Sequence, residues 1–308
     1  MKLLIALAIL IAACSSDSPA RAKKVVKPQS LAYVASNGDG NVYLCARADD
    51  DSIGSCSATG SLFSEPMGIA VDPTKTYAYV ANYLDNKIIQ CSIETDFTLS
   101  NCADTGVAGL SHPVEVLVDS AGTHLYITSF GNDLVKLCNV GGGGAISGCA
   151  NTGSGFSSPK GFTLNFTGTY AYVVNNTGSV MVCSVTAGTG VLTGCVDSAN
   201  SGVAFTAPEH ITLSIDNTLA FVADNAKVTV CPIVTGGLFT ACVDSGATGV
   251  AFNSVKHVLL NIAGTTAFIT DAGTNKILVC PVSGSTIGAC VDSGAASVSS
   301  PYQTVFAN

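Results

Sequence analysis

Cysteines recur along this chain in pairs at one fixed beat, and that beat limits the fold more than any other feature. The pairs are Cys45/Cys56, Cys91/Cys102, Cys138/Cys149, Cys183/Cys195, Cys231/Cys242 and Cys280/Cys290. Partners lie 10 to 12 positions apart, and the first cysteine of successive pairs advances by 46, 47, 45, 48 and 49 positions. A period of this length marks a repeat architecture, in which each unit buries its faces on its neighbours.

Each repeat shows the same parts in the same order. A short apolar run opens it, as in Pro66-Met-Gly-Ile-Ala-Val-Asp72, Pro113-Val-Glu-Val-Leu-Val-Asp119 and Pro208-Glu-His-Ile-Thr-Leu-Ser214. It is too short for a helix and ends in turn residues, so it reads as a strand. An aromatic and β-branched run follows, as in Tyr77-Ala-Tyr-Val-Ala-Asn82 and Leu219-Ala-Phe-Val-Ala-Asp224, and these residue types favour a pleated, buried surface. The third and fourth strands carry the two cysteines on either side of a Gly- or Ser-rich turn. Equally placed about that turn, the two can face each other within disulfide reach. Pro232 and Pro281 directly follow a third-strand cysteine and suggest fraying or a bulge there, since proline removes a ladder donor. Apolar residues occupy both faces of the third strand: Ile277 and Val279 on one, Leu278 and Val282 on the other. A strand apolar on both faces is covered on both.

Four-stranded antiparallel sheets stacked face to face around an axis meet that demand. The expected fold is all-β, a six-bladed β-propeller with one intra-blade disulfide per blade. The chain ends fit a closed ring. Leu31–Asn37 is a second-type strand with no first-type strand before it, and Pro301–Asn308 is a first-type strand with nothing after it. The C-terminal strand can therefore join the N-terminal blade and hide the sheet edges. The propeller is expected over residues 31–308.

The motif Tyr79-Val-Ala-Asn82, with Tyr172-Val-Val-Asn175 and Tyr126-Ile-Thr-Ser129 as looser copies, resembles the YVTN-type β-propeller repeat. The stretch from Pro66 to Asp72 looks like the related NHL-type repeat. The resemblance spans all six repeats and implies architecture more than chemistry, because such propellers include surface-layer proteins, lactonase-like enzymes, lyases and binding modules. One cysteine pair per blade departs from the common pattern.

Residues 1–22 read as a targeting segment: Lys2, then an apolar core from Leu3 to Ala13 that is too short to span a bilayer. Two cleavage readings stand. Ile11-Ala-Ala-Cys14 resembles a bacterial lipobox, which would leave Cys14 lipidated. Ala20-Arg-Ala22 fits ordinary secretion. The lipobox sits directly at the end of the apolar core, which favours it. Residues 23–30 read as a linker. A periplasmic or outer-membrane lipoprotein, or a secreted protein, is therefore expected, and an oxidising compartment lets disulfides persist. The chain has 21 acidic and 13 basic residues and no Trp. That balance argues against nucleic acid, which calls for basic footprints, and leaves an N-terminal lipid as the expected route to a membrane.

No Gly-x-Ser-x-Gly elbow or His-Glu-x-x-His helix is present. Gly141 to Gly144 lies between paired cysteines with no helix after it, so it reads as a hairpin turn and not as a phosphate cradle. One site-like pattern comes from the repeat register. Position three of the first strand reads Gly68, Glu115, Gly161, His210, His257 and Gln303. This strand is innermost, and its start lies near one mouth of the central channel. The second strand ends on the same face at Ser36, Asn82, Ser129, Asn175, Asp224 and Asp271. The register thus pairs His210 with Asp224 and His257 with Asp271, places Gln303 next round the ring, and sets Glu115 opposite His257.

His210, His257 and Glu115 are the candidate catalytic residues. Asp224, Asp271, Gln303, Asn82 and Asn175 are candidate binding residues. His210 and His257 could hold a divalent metal with an Asp orienting each, or supply acid–base chemistry. The plainer alternative is a set of polar side chains lining a wet channel. The function expected is that of a binding or scaffold propeller presenting a face to a protein or glycan partner. The competing expectation is a lactonase- or lyase-like enzyme at the channel mouth.

Overall fold

The computed structural model describes residues 30–198, 202–295 and 298–307. The targeting segment with Cys14, and the linker up to residue 29, lie outside the described residues. The described chain forms six antiparallel sheets, five of four strands each and one in which two short outer strands share the place of the fourth. Blade I is built from both ends of the chain: Pro301–Phe306 is innermost, followed outward by Ser30–Ser36, Asn41–Arg47 and Ile53–Thr59. Ala32 pairs with Phe306 and Ser36 with Pro301, so the ring closes through the C-terminal strand as expected. Blades II to VI follow in chain order. Their inner strands are Pro66–Val71, Pro113–Val118, Pro159–Leu164, Pro208–Leu213 and Val255–Leu260.

All six expected disulfides form, each within one blade: Cys45–Cys56, Cys91–Cys102, Cys138–Cys149, Cys183–Cys195, Cys231–Cys242 and Cys280–Cys290, at Cα separations of 4.0–4.2 Å. They are the signature of an oxidising, extracytoplasmic setting. The strand setting of the second cysteine departs from expectation in two blades. Cys56, Cys102, Cys149 and Cys195 lie within the outer strands Ile53–Thr59, Leu99–Asp104, Ile146–Thr152 and Leu192–Asp197. Cys242 and Cys290 do not lie within a strand. Each stands one residue ahead of a two-residue strand, Val243–Asp244 in blade V and Val291–Asp292 in blade VI, where Thr286–Ile287 pairs separately. The physical reason is proline: Pro232 and Pro281, next to the partner cysteines, have no N–H to give to an outer strand. The hairpins are also less regular than an even spacing about the turn suggests. In blades I to IV the ladder shifts register at or beside the third-strand cysteine, so the bridge spans an irregularity.

The core consists of six apolar clusters, one at each inter-blade interface. Tyr33 and Val42 of blade I pack on Ile69, Val80 and Ile89 of blade II, and Val34 and Tyr43 pack on Phe268 and Ile277 of blade VI. Phe63, Phe156, Phe205 and Phe252 each pack into one of these clusters. The tyrosine of the second-strand motif adds a polar tie. A buried phenol needs a hydrogen-bond partner. The hydroxyls of Tyr79 and Tyr126 donate to the carbonyls of Gly144 and Gly190, at 2.8 and 2.7 Å, in the outer hairpin turn of the next blade. The Gly141–Gly144 stretch is thus a hairpin turn that receives a neighbour's tyrosine.

Every inner strand carries a register shift near its opening residue, between Pro66 and Ile69 in blade II and at the matching place in the others. Such a bulge re-aims side chains, and here it brings consecutive residues to the axis. Position two faces the mouth at the start of the strands, and position three faces the channel beneath.

Candidate functional site

Four of the position-three residues meet on the axis. Gln303 Nε2 donates to Glu115 Oε1 at 2.6 Å, and its own Oε1 accepts from the Ile69 backbone N–H. His210 Nε2 lies 3.7 Å from Glu115 Oε2. The His210 and His257 rings lie against each other with centroids 3.9 Å apart. The two glycines of the ring make this possible. A Cβ on Gly68 would lie 2.4 Å from the Val114 carbonyl oxygen, and one on Gly161 would lie 2.6 Å from the His210 Cα. Neighbouring inner strands approach so closely there that only glycine fits, and the larger side chains on either side fill the space.

This layer is buried: Glu115, His210, His257 and Gln303 expose 3–8% of their surface. Burial pushes the Glu115 carboxyl up to about 8, against a lowering bond from Gln303. Burial pulls His210 down to about 3, and it pulls His257 well below the usual imidazole range, with His210 adding to the effect. Near neutral pH the layer is therefore a protonated carboxyl beside two neutral imidazoles. Its side chains line a cavity of about 230 Å³ that continues along the channel between Leu117, Thr212 and Val305. Among the described residues, no three His, Cys, Asp or Glu side chains are grouped as a metal ion requires.

The pairing expected between each histidine and an aspartate does not form. Asp224 accepts from the Thr206 and Ala207 N–H groups, at 2.9 and 2.8 Å, and from the Thr206 hydroxyl. Asp271 accepts from the N–H groups of Asn253, Ser254 and Gly273. Asn175 and Asn82 likewise bind the loop that leads into their own blade's inner strand. These short polar side chains satisfy local backbone donors and acceptors, as their type favours. They latch loops to blades. Glu115, placed opposite His257 by the register, instead meets Gln303 and His210.

Sequence reasoning missed a second polar layer, at position two. Glu209 is buried and accepts from three groups: Lys160 Nζ at 2.7 Å, Lys256 Nζ at 2.9 Å and the Tyr302 hydroxyl at 3.1 Å. Blades IV, V, VI and I each supply one member. Burial lowers Lys160 below the usual ammonium range although Glu209 pulls it back up, and burial with the Glu209 charge raises Tyr302 well above the usual phenol range. The two lysines and Tyr302, with Asn37, Tyr83 and Phe130, line a mouth cavity of about 170 Å³. With both lysines charged, two positive groups share one carboxylate. The signal was present as two lysines and a glutamate inside apolar strands.

A further cavity, of about 500 Å³, opens on the opposite rim between blades III and IV and is lined by His124 and Asp119. His124 Nδ1 lies 2.7 Å from Asp119 Oδ2. Asp119 also accepts the N–H groups of Thr123 and His124. Asp72 and Asn165 do the same for their own turns. The His124–Asp119 contact therefore belongs to a turn lock repeated round the ring.

Fold and axial site define an extracytoplasmic β-propeller with a polar hub. The model of a family described as lactonase, 7-bladed β-propeller, matches residues 64–208, a little under half of the chain. The ring here closes with six blades. No curated protein matches. Among solved structures, the nidogen/laminin complex is similar at 12% identity and TM-score 0.70, covering 91% of this chain and 99% of that one. The periplasmic gluconolactonase of Pseudomonas aeruginosa is similar at 15% identity and TM-score 0.61, covering 91% and 99%. Hydrazine synthase of Kuenenia stuttgartiensis is similar at 11% identity and TM-score 0.59, covering 81% and 75%. At these identities the likeness is one of fold, and it extends to proteins of unrelated function.

Proposed function

We propose that this propeller binds a small organic acid at its mouth. The observation that carries the reading is the convergence of Lys160 and Lys256 on Glu209 beside a cavity walled by Tyr83, Phe130 and Tyr302. A second carboxylate entering there meets two ammonium groups, and its carbon skeleton meets aromatic rings. The cavity lies below the roughly 300 Å³ at which drug-sized pockets begin, which favours a compact ligand such as a sugar acid. The likeness to a periplasmic gluconolactonase supports the same ligand class.

Calorimetric titration with gluconate, glucuronate and a neutral sugar of equal size tests this. The acids are expected to bind and the neutral sugar is not. Lys160→Met/Lys256→Met is expected to abolish acid binding. Binding of neither acid, or unchanged binding in the double variant, overturns the reading.

One observation favours a second reading, ring opening of a lactone of such an acid. A protonated Glu115 and a neutral His210 lie in the adjoining layer, 3.7 Å apart. A carboxyl and an imidazole in those states could donate and accept a proton at neutral pH. Hydrolysis of gluconolactone by the wild type, followed in a pH-stat and lost in His210→Gln, supports it. No rate above the buffer rate removes it.

A further inference from the structure

The rim opposite the mouth is built from two hairpin turns in each of blades II to VI and one in blade I, and its halves differ in character. Blades I and II carry acidic turns there, with Asp50, Asp51, Glu94 and Asp96. In blades IV to VI the same turns hold one charged residue, Asp216, whose carboxylate is taken up by Ser214 and Thr218 of its own turn. Large apolar side chains stand out from this sparsely charged half. Phe166, Ile215 and Ile262 occupy the same step of three consecutive blades and are 78, 59 and 88% exposed. Val191 and Val234, on the second turns of blades IV and V, are 39 and 48% exposed. No large apolar side chain of blades I to III is exposed on this rim among the described residues. Phe166 N–H donates to Asn217 of the next turn, which places the first two tips side by side. An apolar arc repeated in register is unlike the scattered exposed residues that any surface carries.

The course of the chain names the occupant. Ser30 opens the second strand of blade I, so the chain enters the propeller on this same rim. Blade VI, which carries Ile262, adjoins blade I: Asn261 donates to Asp51 of its outer turn at 3.2 Å. Ser30 lies sixteen positions after Cys14, the lipid attachment point that the lipobox reading implies. A chain of that length reaches at most about 55 Å. A lipid there would hold this rim within reach of the bilayer, with the mouth on the far side of the ring.

We infer that the rim of blades IV to VI docks on a lipid surface, seating Phe166, Ile215 and Ile262 in the interfacial region. Partly submerged apolar side chains on a background with a single carboxylate, Asp216, suit neutral lipid, as in other interfacial anchors. The inference stands apart from the acid-binding reading, which concerns the other face.

The chain has no Trp, so one introduced residue is a lone fluorescent reporter. Full-length Ile262→Trp and Phe166→Trp are mixed with phosphatidylcholine vesicles, with Leu84→Trp as the reporter on the mouth side. A blue shift with quenching by brominated lipid is expected at positions 262 and 166 and not at 84. Phe166→Ser/Ile215→Ser/Ile262→Ser is expected to lower vesicle partitioning by about tenfold or more. No shift at 262 and 166, an equal shift at 84, or a shift that is present without vesicles and lost on dilution overturns the inference. The last outcome would assign the arc to self-association.

Discussion

Gln303 donates to Glu115 across 188 positions of sequence, tying the last strand of the chain to the third blade through the axis of the ring. The bond spans blade II because Gly68 leaves the intervening position empty. It also explains why a carboxyl can sit in a buried channel: held protonated, Glu115 is a neutral group with an assigned partner. Glu115→Gln keeps a neutral polar side chain of the same size and should alter stability little at pH 6. Glu115→Ala leaves the Gln303 amide unpaired and should cost about 1–3 kcal/mol. Urea unfolding of both variants at pH 6 checks the contrast.

The mouth cluster behaves differently because its members are charged. Removing Glu209 leaves two lysines facing each other in a largely buried site. Breaking such a group from one side costs about 3 kcal/mol when buried, and the partial exposure of both lysines trims that figure. Glu209→Ala should therefore lower stability by about 2 kcal/mol, and adding Lys160→Met to it should recover part of the loss. A double-mutant cycle from denaturant melts measures it.

Much of this was legible before any coordinates. The cysteine beat, the order of strand types and the orphan strands at either end lead to six blades, ring closure and all six disulfides. Alternation and register also bring Glu115, His210, His257 and Gln303 to the axis. The limit came from the bulge near each opening residue. Strict period-two alternation sends position two away from the axis when position three faces it, so Lys160, Glu209, Lys256 and Tyr302 were passed over. Asp224 and Asp271 were misjudged for another reason. Their place at the strand ends was right, but residue type alone does not say whether a carboxylate meets an imidazole 14 positions away or the backbone N–H groups of a loop. Cys242 and Cys290 show a third limit: spacing gave their partners but not the loss of the outer strand around them.

The glycines of the axial ring give a steric prediction. Gly161→Ala drives a methyl into the His210 backbone and should destabilise by about 1–3 kcal/mol while disturbing the histidine layer. Gly141→Ala, with 3.6 Å to its nearest neighbour and an extended backbone, should be close to neutral. Thermal melts of the pair distinguish an axial effect from a generic loss of glycine.

The disulfides should matter unequally. Each closes a loop of about a dozen residues, worth up to roughly 3 kcal/mol in the chain-entropy view, and less where a hairpin already holds its ends. In blade II the third and outer strands share four ladder pairs. In blade V they share two, Thr229 with Asp244 and Val230 with Val243. Cys231→Ser/Cys242→Ser should therefore free the outer edge of blade V, whereas Cys91→Ser/Cys102→Ser should leave blade II paired. Hydrogen exchange resolved by peptide reads both, and equal loss of protection in the two blades contradicts this account.

The axial layer sets a stability optimum in pH. His210 and His257 stay neutral when folded far below 6.5, while the unfolded chain takes up protons there. Below 6.5 the unfolded state thus binds more protons at these two sites, down to about 3 for His210, and their contribution falls as pH falls. Glu115 acts in the opposite sense. Folded, it keeps its proton up to about 8, whereas unfolded it loses it near 4.5, so its contribution falls as pH rises from 4.5 to 8. From 4.5 to 6.5 two histidines outweigh one carboxyl and the layer's contribution rises with pH; above 6.5 only the carboxyl slope remains. The layer should therefore favour a maximum near pH 6.5. Comparing denaturant midpoints across roughly pH 4–9, His210→Gln/His257→Gln should flatten the acid limb relative to wild type, and Glu115→Gln should flatten the alkaline limb. If the two variants leave the profile unchanged, these three groups do not titrate as their burial requires.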